Sequence, residues 1–387
     1  MARDINKALV LNMFRENELV SRAEIARVLK LSKVTVSTIV RDLIEKHFIQ
    51  EQGMGNSFQS GGRKPILLSL DNSKLFVIGI DIGTTNIVAA TANLKGRYKY
   101  FSRIPTAKSL AVEEVLDQVH SLAEEGIKQT GIGKKQIIAM GVSAAGIVDS
   151  LKGYIHFSPD FNWKSLPLRT LLEEHTNLPV VVDNCTRSMA LGEQWYGSVS
   201  DARNVFYVNI GYGIGSALII NNRIYSNHSE FGHTFITKRK VLCNCGKLGC
   251  LEAVASGNAI ERQANQLLNQ HQEEWITAKE LAERARSGDK QARQIFFNAG
   301  RYLGRAIAMA TNLFNPEKIV IGGGVALAGD VLFKPLVAEF EKHTMAVIKK
   351  NVTVEKSTLG IDAGVMGAVA LALNRYVFGS CLVTEVV

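Results

Sequence analysis

The sequence predicts an α/β protein with a helical N-terminal part, and three observations support this fold class. Residues 4–48 contain three amphipathic helical patterns joined by short turns. From Phe76 onwards, short apolar runs alternate with glycine-rich turns and longer helical patterns, which is typical of α/β domains. A chain of 387 residues exceeds one ordinary core, so two or three compact units are expected.

The N-terminal patterns predict a helix-turn-helix. A first helix is expected over residues 4–17, and Ser21 with Glu24 forms the capping-box pattern that begins a second helix. Ser32 then begins a third helix that extends to residue 48. Its predicted core side contains Val34, Ile39, Val40, Leu43 and Ile44. Hydroxyl and basic side chains occupy the other side, as in a recognition helix that enters the DNA major groove, while a three-helix protein-interaction module is the alternative.

A glycine-rich, basic segment follows at residues 50–70 and predicts a β-hairpin wing that contacts phosphates or the minor groove. A plain interdomain linker is the alternative. Residues 1–70 contain eleven Lys or Arg against seven Asp or Glu, so +4 of the net charge of +9 falls here, which favours an anionic partner. The predicted DNA contacts are Arg22, Ser32, Lys33, Thr35, Ser37, Thr38, Arg41, Arg63 and Lys64.

The body of the chain predicts two similar lobes with a cleft between them. Residues 76–104 predict three strands, followed by a helix over 111–130 and a buried strand that begins at residue 137. A similar order of strand, glycine turn and strand restarts at Asn204, about 125 residues later. Glycine turns of this kind allow backbone N–H groups to approach phosphate, and Asp81, Gly83 and Thr85 make the first turn the more specific signal.

One short loop concentrates metal-ligating side chains. His233, Cys243, Cys245 and Cys250 are the right number and kind of ligands for a closed tetrahedral Zn²⁺ site, and Glu230 and Glu252 flank them. Five cysteines, an odd number with three in one loop, favour metal binding over a disulfide framework. A cysteine redox switch is the alternative.

Composition excludes a disordered protein, because 46% of residues are hydrophobic and 21% are charged. The sequence contains no apolar run of about eighteen residues, so no membrane insertion is expected. Charges occur too early for a secretory signal, which predicts a cytoplasmic protein.

Nine motifs together resemble the ROK family of repressors and sugar kinases, of the xylose or N-acetylglucosamine repressor type. They are SGGRKP at 60–65, DIGTTN at 81–86, GVSAAGIVD at 141–149, SPDFNW at 158–163, VDNCTRSMALGE at 182–193, GYGIGSALI at 211–219, EFGH at 230–233, CNCGKLGCLE at 243–252 and GIDAGVMGA at 360–368. The resemblance implies a two-lobe actin-like, sugar-kinase-like (ribonuclease H-like) body. It places a winged head at 1–70, a linker at 71–75, lobe 1 at 76–183 with a C-terminal helix near 363–378, and lobe 2 at 184–362.

The resemblance also implies a functional site. It implies one structural zinc per chain, and sugar contacts at Asn162, Trp163, Asn184, Glu230, His233 and Glu252. Where kinases of the family have an Asp as general base, this chain has Cys185, and Tyr212 replaces a Thr that faces the phosphates. Arg187 replaces an Asn, and Thr84 stands where a second Gly is usual. These departures predict that the body does not phosphorylate sugars.

The leading hypothesis is therefore a cytoplasmic, nucleoid-associated transcriptional repressor of carbohydrate-use genes. It would bind an inverted-repeat operator in double-stranded DNA as a homodimer or tetramer and respond to a sugar or sugar phosphate. One alternative is a regulator controlled by a protein partner, such as a sugar transporter component. Another is an ATP-dependent sugar kinase with a DNA-binding head.

Overall fold

The computed structural model describes residues 2–54, 64–199, 201–227, 229–268 and 275–379. Its α-helices are α1 Ala2–Glu16, α2 Arg22–Leu29, α3 Lys33–Glu45, α4 Val112–Thr130, α5 Leu168–Thr176, α6 Cys185–Tyr196, α7 Leu251–Ala255, α8 Gly257–Leu268, α9 Ala278–Arg286, α10 Lys290–Phe314, α11 Asp330–His343, α12 Ala346–Lys349 and α13 Ala363–Leu373. Short 3-10 turns lie at Lys134–Gln136, Phe231–His233, Gly324–Ala328 and Gly360–Asp362, and a π-helical turn lies at Asn374–Phe378.

The strands are β1 Val20–Ser21, β2 Ile49–Met54, β3 Ile66–Leu70, β4 Phe76–Ile82, β5 Asn86–Asn93, β6 Tyr98–Pro105, β7 Ile137–Ala144, β8 Ile147–Asp149, β9 Tyr154–Ser158, β10 Trp163–Leu166, β11 Val180–Asn184, β12 Val205–Ile210, β13 Ile214–Ile220, β14 Arg223–Ile224, β15 Lys318–Gly322 and β16 Thr353–Lys356. The chain divides into two compact units. Unit 1 combines the residues up to Ser188 with those from Gly364 onwards, and unit 2 is Met189–Ala363.

The N-terminal part of unit 1 contains α1 to α3 and a small antiparallel sheet of order β1-β3-β2. Ser21 Oγ accepts from the Glu24 N–H, and Ser32 Oγ accepts from the Thr35 N–H, so both predicted helix starts are observed. Val36, 1% exposed, takes the core position on α3 that was predicted for Val34, which is 77% exposed. The prediction for Val34 was wrong because the core residues Ile39 and Val40 lie three and four positions after residue 36.

The body of unit 1 is a five-stranded sheet of order β11-β7-β4-β5-β6, in which β4 pairs parallel with β7 and antiparallel with β5. Helix α13 packs so closely on this sheet that a Cβ on Gly141 would lie 1.9 Å from the Ala368 carbonyl oxygen. At the other end of the chain, Asn12 Nδ2 donates to the Phe378 carbonyl at 2.7 Å, which joins α1 to the C-terminal helical segment.

Unit 2 repeats the same local topology in a sheet of order β14-β13-β12-β15-β16, packed against the 25-residue helix α10. Strand β12 pairs antiparallel with β13 and parallel with β15, as β4 does with β5 and β7. The α/β fold class predicted from the sequence is confirmed. Among the described residues, one helical stretch, Gly360–Phe378, is long and apolar enough to cross a bilayer, but 67% of it is buried inside the protein, as in a core helix.

Candidate functional site

The cysteine-rich loop of unit 2 folds back on itself through backbone hydrogen bonds. The Cys243 N–H donates to the Lys247 carbonyl at 2.8 Å, and the Gly246 N–H donates to the Cys243 carbonyl at 2.9 Å. Gly246 and Gly249 have φ angles of 85° and 77°, a region that favours glycine, so both turns require this residue type. These turns bring Cys243, Cys245 and Cys250 together beside His233.

The four side chains fit a tetrahedral metal ion. Their ligand atoms all lie within 4.8 Å of one another, with Cys243 Sγ 3.5 Å from His233 Nδ1 and Cys245 Sγ 3.7 Å from Cys250 Sγ. Ordinary Zn–S and Zn–N bond lengths in a tetrahedron place two sulfurs about 3.8 Å apart and a sulfur and a nitrogen about 3.5 Å apart. The three cysteines are free thiols in this structure, and burial raises the pKa of Cys243 to about 12. A cation would therefore displace a proton from this thiol.

Two carboxylates flank the cluster, and each lies beside His233. Glu252 Oε2 accepts from the Ile214 N–H at 2.9 Å, while its Oε1 lies 3.8 Å from Cys243 Sγ. Gly213 permits this position, because a Cβ there would lie 2.5 Å from Glu252 Oε2. Glu230 is more exposed, and its Oε2 lies 3.9 Å from His233 Nε2. The imidazole thus directs Nδ1 to the cysteine cluster and Nε2 towards Glu230.

The six predicted sugar contacts divide between the two units. Asn162, Trp163 and Asn184 belong to unit 1, whereas Glu230, His233 and Glu252 belong to unit 2. Asn184 Oδ1 accepts from the Thr186 N–H at 2.9 Å, and its Nδ2 donates to the Gly146 carbonyl at 2.9 Å. The oxygen of this carboxamide therefore caps the start of α6, and one of its two Nδ2 hydrogens is already donated. The other Nδ2 hydrogen can be donated to a ligand. Asn162 is exposed and has a φ of 55°.

The role predicted for Trp163 needs correction. Its side chain is 5% exposed and belongs to the hydrophobic core of unit 1. The indole ring lies 4.3 Å from the Phe161 ring between centroids, and its Nε1 donates to the Leu110 carbonyl at 2.9 Å. Because the ring is covered and its N–H is already paired, Trp163 offers no free face on which a sugar ring can stack.

Four of the predicted DNA contacts on α3, namely Lys33, Ser37, Thr38 and Arg41, line an open groove of about 760 Å³. It is lined by Arg22, Lys33, Val34, Ser37, Thr38, Arg41, Ile44 and Glu45. Several of the predicted polar groups already have partners: Ser32 Oγ lies 2.8 Å from Thr35 Oγ1, Thr38 Oγ1 donates to the Val34 carbonyl, and Arg22 pairs with Glu51. Lys64 is exposed, and Arg63 lies outside the described residues.

Comparisons with known proteins identify the body of the chain. A family model described as ROK family matches residues 77–375. The chain belongs to the ROK family. A xylose repressor of Caldicellulosiruptor bescii is 29% identical over 387 residues, which cover 97% of this chain and 96% of the relative. A glucokinase of Halalkalibacterium halodurans is 34% identical over 310 residues, which cover 76% of this chain and 94% of the relative.

A solved structure gives the same result for the fold. The crystal structure of a ROK family transcriptional regulator, a homologue of the E. coli MLC protein, has a TM-score of 0.85 and 27% identity, and covers 97% of each chain. The likeness to this regulator therefore extends over the N-terminal helices as well as the ROK body.

Cys185, which the sequence resemblance predicts to replace the general base of the ROK kinases, begins α6. Burial and, to a smaller extent, the nearby carboxylates Asp81 and Asp160 together raise the pKa of this thiol to about 12. The surrounding protein therefore disfavours the thiolate form of Cys185. Asp81 accepts a hydrogen bond from Ser143 Oγ at 2.6 Å, and burial raises the pKa of its carboxyl as well. At neutral pH Cys185 is a protonated side chain that cannot accept a proton from a sugar hydroxyl.

The sequence reasoning missed the partner of Arg187. This side chain is 4% exposed, forms an ion pair with Asp183, which is 8% exposed, and donates to the Val148 carbonyl at 2.9 Å. The sequence signal that could have predicted this ion pair is the spacing of four residues between Asp183 and Arg187. It was obscured because Asp183 lies in a strand and Arg187 in the following helix. The pair borders Asn184 and Cys185 and fixes the start of α6.

The phosphate-type turn of unit 2 contains Tyr212, which is 58% exposed. The carbonyls of Gly211 and Tyr212 accept from the N–H groups of Gly257 and Asn258 at 2.8 and 3.2 Å, so the turn is fixed to the start of α8. That this phenol crowds a nucleotide stays a prediction.

Proposed function

We propose that this ROK protein is a DNA-binding transcriptional repressor of carbohydrate-use genes, with a sugar-sensing body that does not catalyse phosphoryl transfer. The observation that carries the proposal is a thiol, Cys185, in place of the carboxylate expected for a general base, in a chain with the exposed basic face of α3. Similarity to the xylose repressor covers 97% of the chain, against 76% for the glucokinase, so the repressor comparison includes a part that the kinase comparison leaves out.

The N-terminal part is proposed as the DNA-binding domain. Residues 1–70 would form a winged helix-turn-helix, residues 71–75 a linker, and residues 76–183 and 184–362 the two lobes. Lys33, Ser37 and Arg41 project from α3 and suit phosphates and base edges in the major groove. A homodimer would present two such helices to an inverted repeat in the cytoplasm.

The metal centre is proposed to hold one structural Zn²⁺ per chain. His233 Nδ1 and the three cysteine sulfurs would supply a closed set of four ligands, with separations that suit a tetrahedral ion. A bound Zn²⁺ would supply structural closure of the loop and leaves no open position for catalysis. The loop in turn fixes His233 and Glu252 relative to each other.

The sugar site is proposed to use the polar groups beside this cluster. Glu230 is exposed, and Glu252 retains lone pairs beyond its bond to Ile214, so both carboxylates can accept hydrogen bonds from hydroxyl groups. Asn162 and the second Nδ2 hydrogen of Asn184 offer donors in unit 1. A sugar or sugar phosphate that binds one conformation more tightly would shift the protein towards it and so alter DNA affinity.

We expect the full chain to bind a DNA sequence selected from a random duplex library and to release it when the effector sugar is added. Because allosteric coupling is typically 1–3 kcal/mol, the DNA Kd should rise about 5- to 150-fold. The measurement is fluorescence anisotropy of the labelled duplex against a panel of pentoses, hexoses, amino sugars and their phosphates.

The matched variant is Glu230→Gln, which removes a carboxylate without removing a metal ligand. It should bind DNA and zinc like the wild type and lose most of the sugar response. If no sugar in the panel alters DNA affinity, the sensing half of the proposal fails, and control by a protein partner takes its place.

The 34% identity to a glucokinase makes phosphorylation the second candidate function. We expect no sugar-dependent ADP formation by the wild type, because a missing general base typically costs about 10²–10⁴-fold. Cys185→Asp alone should stay about 10²-fold or more below the H. halodurans glucokinase measured in parallel, since Tyr212 and Arg187 are unchanged. Sugar-dependent turnover by the wild type in the coupled assay would refute the inactivity that we propose.

A further inference from the structure

Val34 is an apolar side chain that lies on the surface of α3 and not in the hydrophobic core. It is the second residue of α3 and is 77% exposed, the highest value for a large hydrophobic residue among the described part of unit 1. The core of the N-terminal helices is filled from α3 by other residues, namely Val36, Ile39, Val40 and Leu43. Exposure of an isopropyl group to water is unfavourable, and Val34 gains nothing from packing in the free protein.

The polar groups around Val34 are partly committed to the helix itself. Ser32 Oγ and Thr35 Oγ1 lie 2.8 Å apart, and Ser32 Oγ also accepts from the Thr35 N–H. One turn further on, Thr38 Oγ1 donates to the Val34 carbonyl at 3.0 Å. Three of the four hydroxyls predicted to read bases are thus engaged locally, which reduces what they can contribute to base recognition.

Val34 nevertheless lies within the groove that the basic side chains border. Lys33 and Arg41 line the same groove and supply the charge that attracts phosphate. The N-terminal residues of a recognition helix are those that meet base edges. In the major groove, thymine differs from the other bases by its C5 methyl group, and an apolar side chain is the kind of partner that this methyl requires.

We propose that Val34 reads the methyl group of a thymine in each half of the DNA site, and so determines part of the sequence specificity. This rests on the DNA-binding function proposed above. The contact needs no hydrogen-bond donor, and it buries the isopropyl group when DNA binds. The basic residues then supply affinity for any duplex, while Val34 supplies discrimination for A·T pairs at one position.

The test uses the full-length protein and the duplex selected from the random library. Each thymine is replaced in turn by deoxyuridine, which removes the methyl group and keeps base pairing. One buried methyl contributes about 0.8 kcal/mol, so wild-type affinity should fall about fourfold at one thymine of each half-site. Val34→Ala removes both γ-methyl groups and should lose most of the preference for thymine at that position, while its salt dependence should match that of the wild type.

Val28→Ala is the control, because Val28 is also an exposed valine, at 51%, but lies on α2 outside the groove. This variant should keep the full fourfold preference for thymine. If Val34→Ala binds too weakly to measure, Val34→Ser, whose side chain has no methyl group, takes its place in the comparison. Thermal unfolding of each variant confirms that the head is folded.

Two results would overturn the inference. In the first, no thymine-to-deoxyuridine replacement weakens binding by the wild type. In the second, both Val34 variants keep the wild-type preference at the sensitive position. Either result leaves sequence-specific DNA binding intact, whereas failure to select any DNA sequence would overturn the proposed function itself.

Discussion

Cys250→Ser is expected to abolish stoichiometric zinc binding and to destabilise unit 2. Cys250 is 1% exposed, its Sγ lies 3.7 Å from Cys245 Sγ, and it directly precedes α7, which contains Glu252. A serine hydroxyl is a poor Zn²⁺ ligand and would lie in a buried site. Structural zinc sites contribute about 10–16 kcal/mol to metal-coupled folding in small peptides. The loss of even part of this free energy is large compared with the free energy of unfolding of an ordinary domain.

The direct measurement is zinc per chain by mass spectrometry of the purified protein. We expect a fall from one equivalent to a trace, together with a lower Tm and faster proteolysis between residues 230 and 252. Cys185→Ser is the matched control, since Cys185 belongs to unit 1 and should leave the zinc content unchanged. A Cys250→Ser protein that still holds one equivalent of zinc would show that this cysteine is not a ligand.

Arg187→Leu is expected to lower the stability of unit 1 by about 3–5 kcal/mol, the usual cost of leaving one member of a buried ion pair without its partner. Asp183 would keep its charge in a site that is 8% exposed, and the Val148 carbonyl would lose its donor. The same substitution disturbs the start of α6, where Asn184 and Cys185 lie. Urea unfolding, followed by circular dichroism, measures the loss.

Asp183→Asn combined with Arg187→Leu should recover a substantial part of that stability, because the buried charge that Arg187 balances is then removed as well. Lys334→Leu is the comparison, since Lys334 and Asp330 also form an ion pair four residues apart but are 79% and 71% exposed. The change in the free energy of unfolding caused by Lys334→Leu should lie within experimental error. An Arg187→Leu protein as stable as Lys334→Leu would show that the buried pair is not needed for folding.

The cysteine cluster and the order of strands along the chain could be predicted from the sequence for the same reason. Cys243, Cys245 and Cys250 lie within eight residues of one another, so two glycine turns are enough to bring them together. The strands around Asp81 and Asn209 are separated by short glycine turns that specify their pairing locally. Geometry of this kind depends on residues that are close in the sequence, so it can be predicted from short motifs.

The errors concern side chains whose surroundings come from distant parts of the chain. The ring of Trp163 is covered by Phe161 and anchored to the carbonyl of Leu110, a contact over 53 residues that no periodicity in the sequence reveals. Val34 and Val36 are equally apolar, and only the packing of α3 shows which of them faces the core. For Cys185, the shift of the pKa arises from burial and from Asp81, about a hundred residues earlier in the chain.

The hydrogen bond from Asn12 to Phe378 has a consequence for genetics. It connects residues 366 positions apart, and Gly141 allows α13 to lie directly on the sheet, so the last helical segment supports the first helix of the N-terminal part. A stop codon late in the reading frame, before residue 378, would remove this support while leaving every DNA-facing residue in place. If the proposed repressor function holds, such nonsense alleles should therefore express the target genes constitutively, as alleles with lesions in residues 1–70 should.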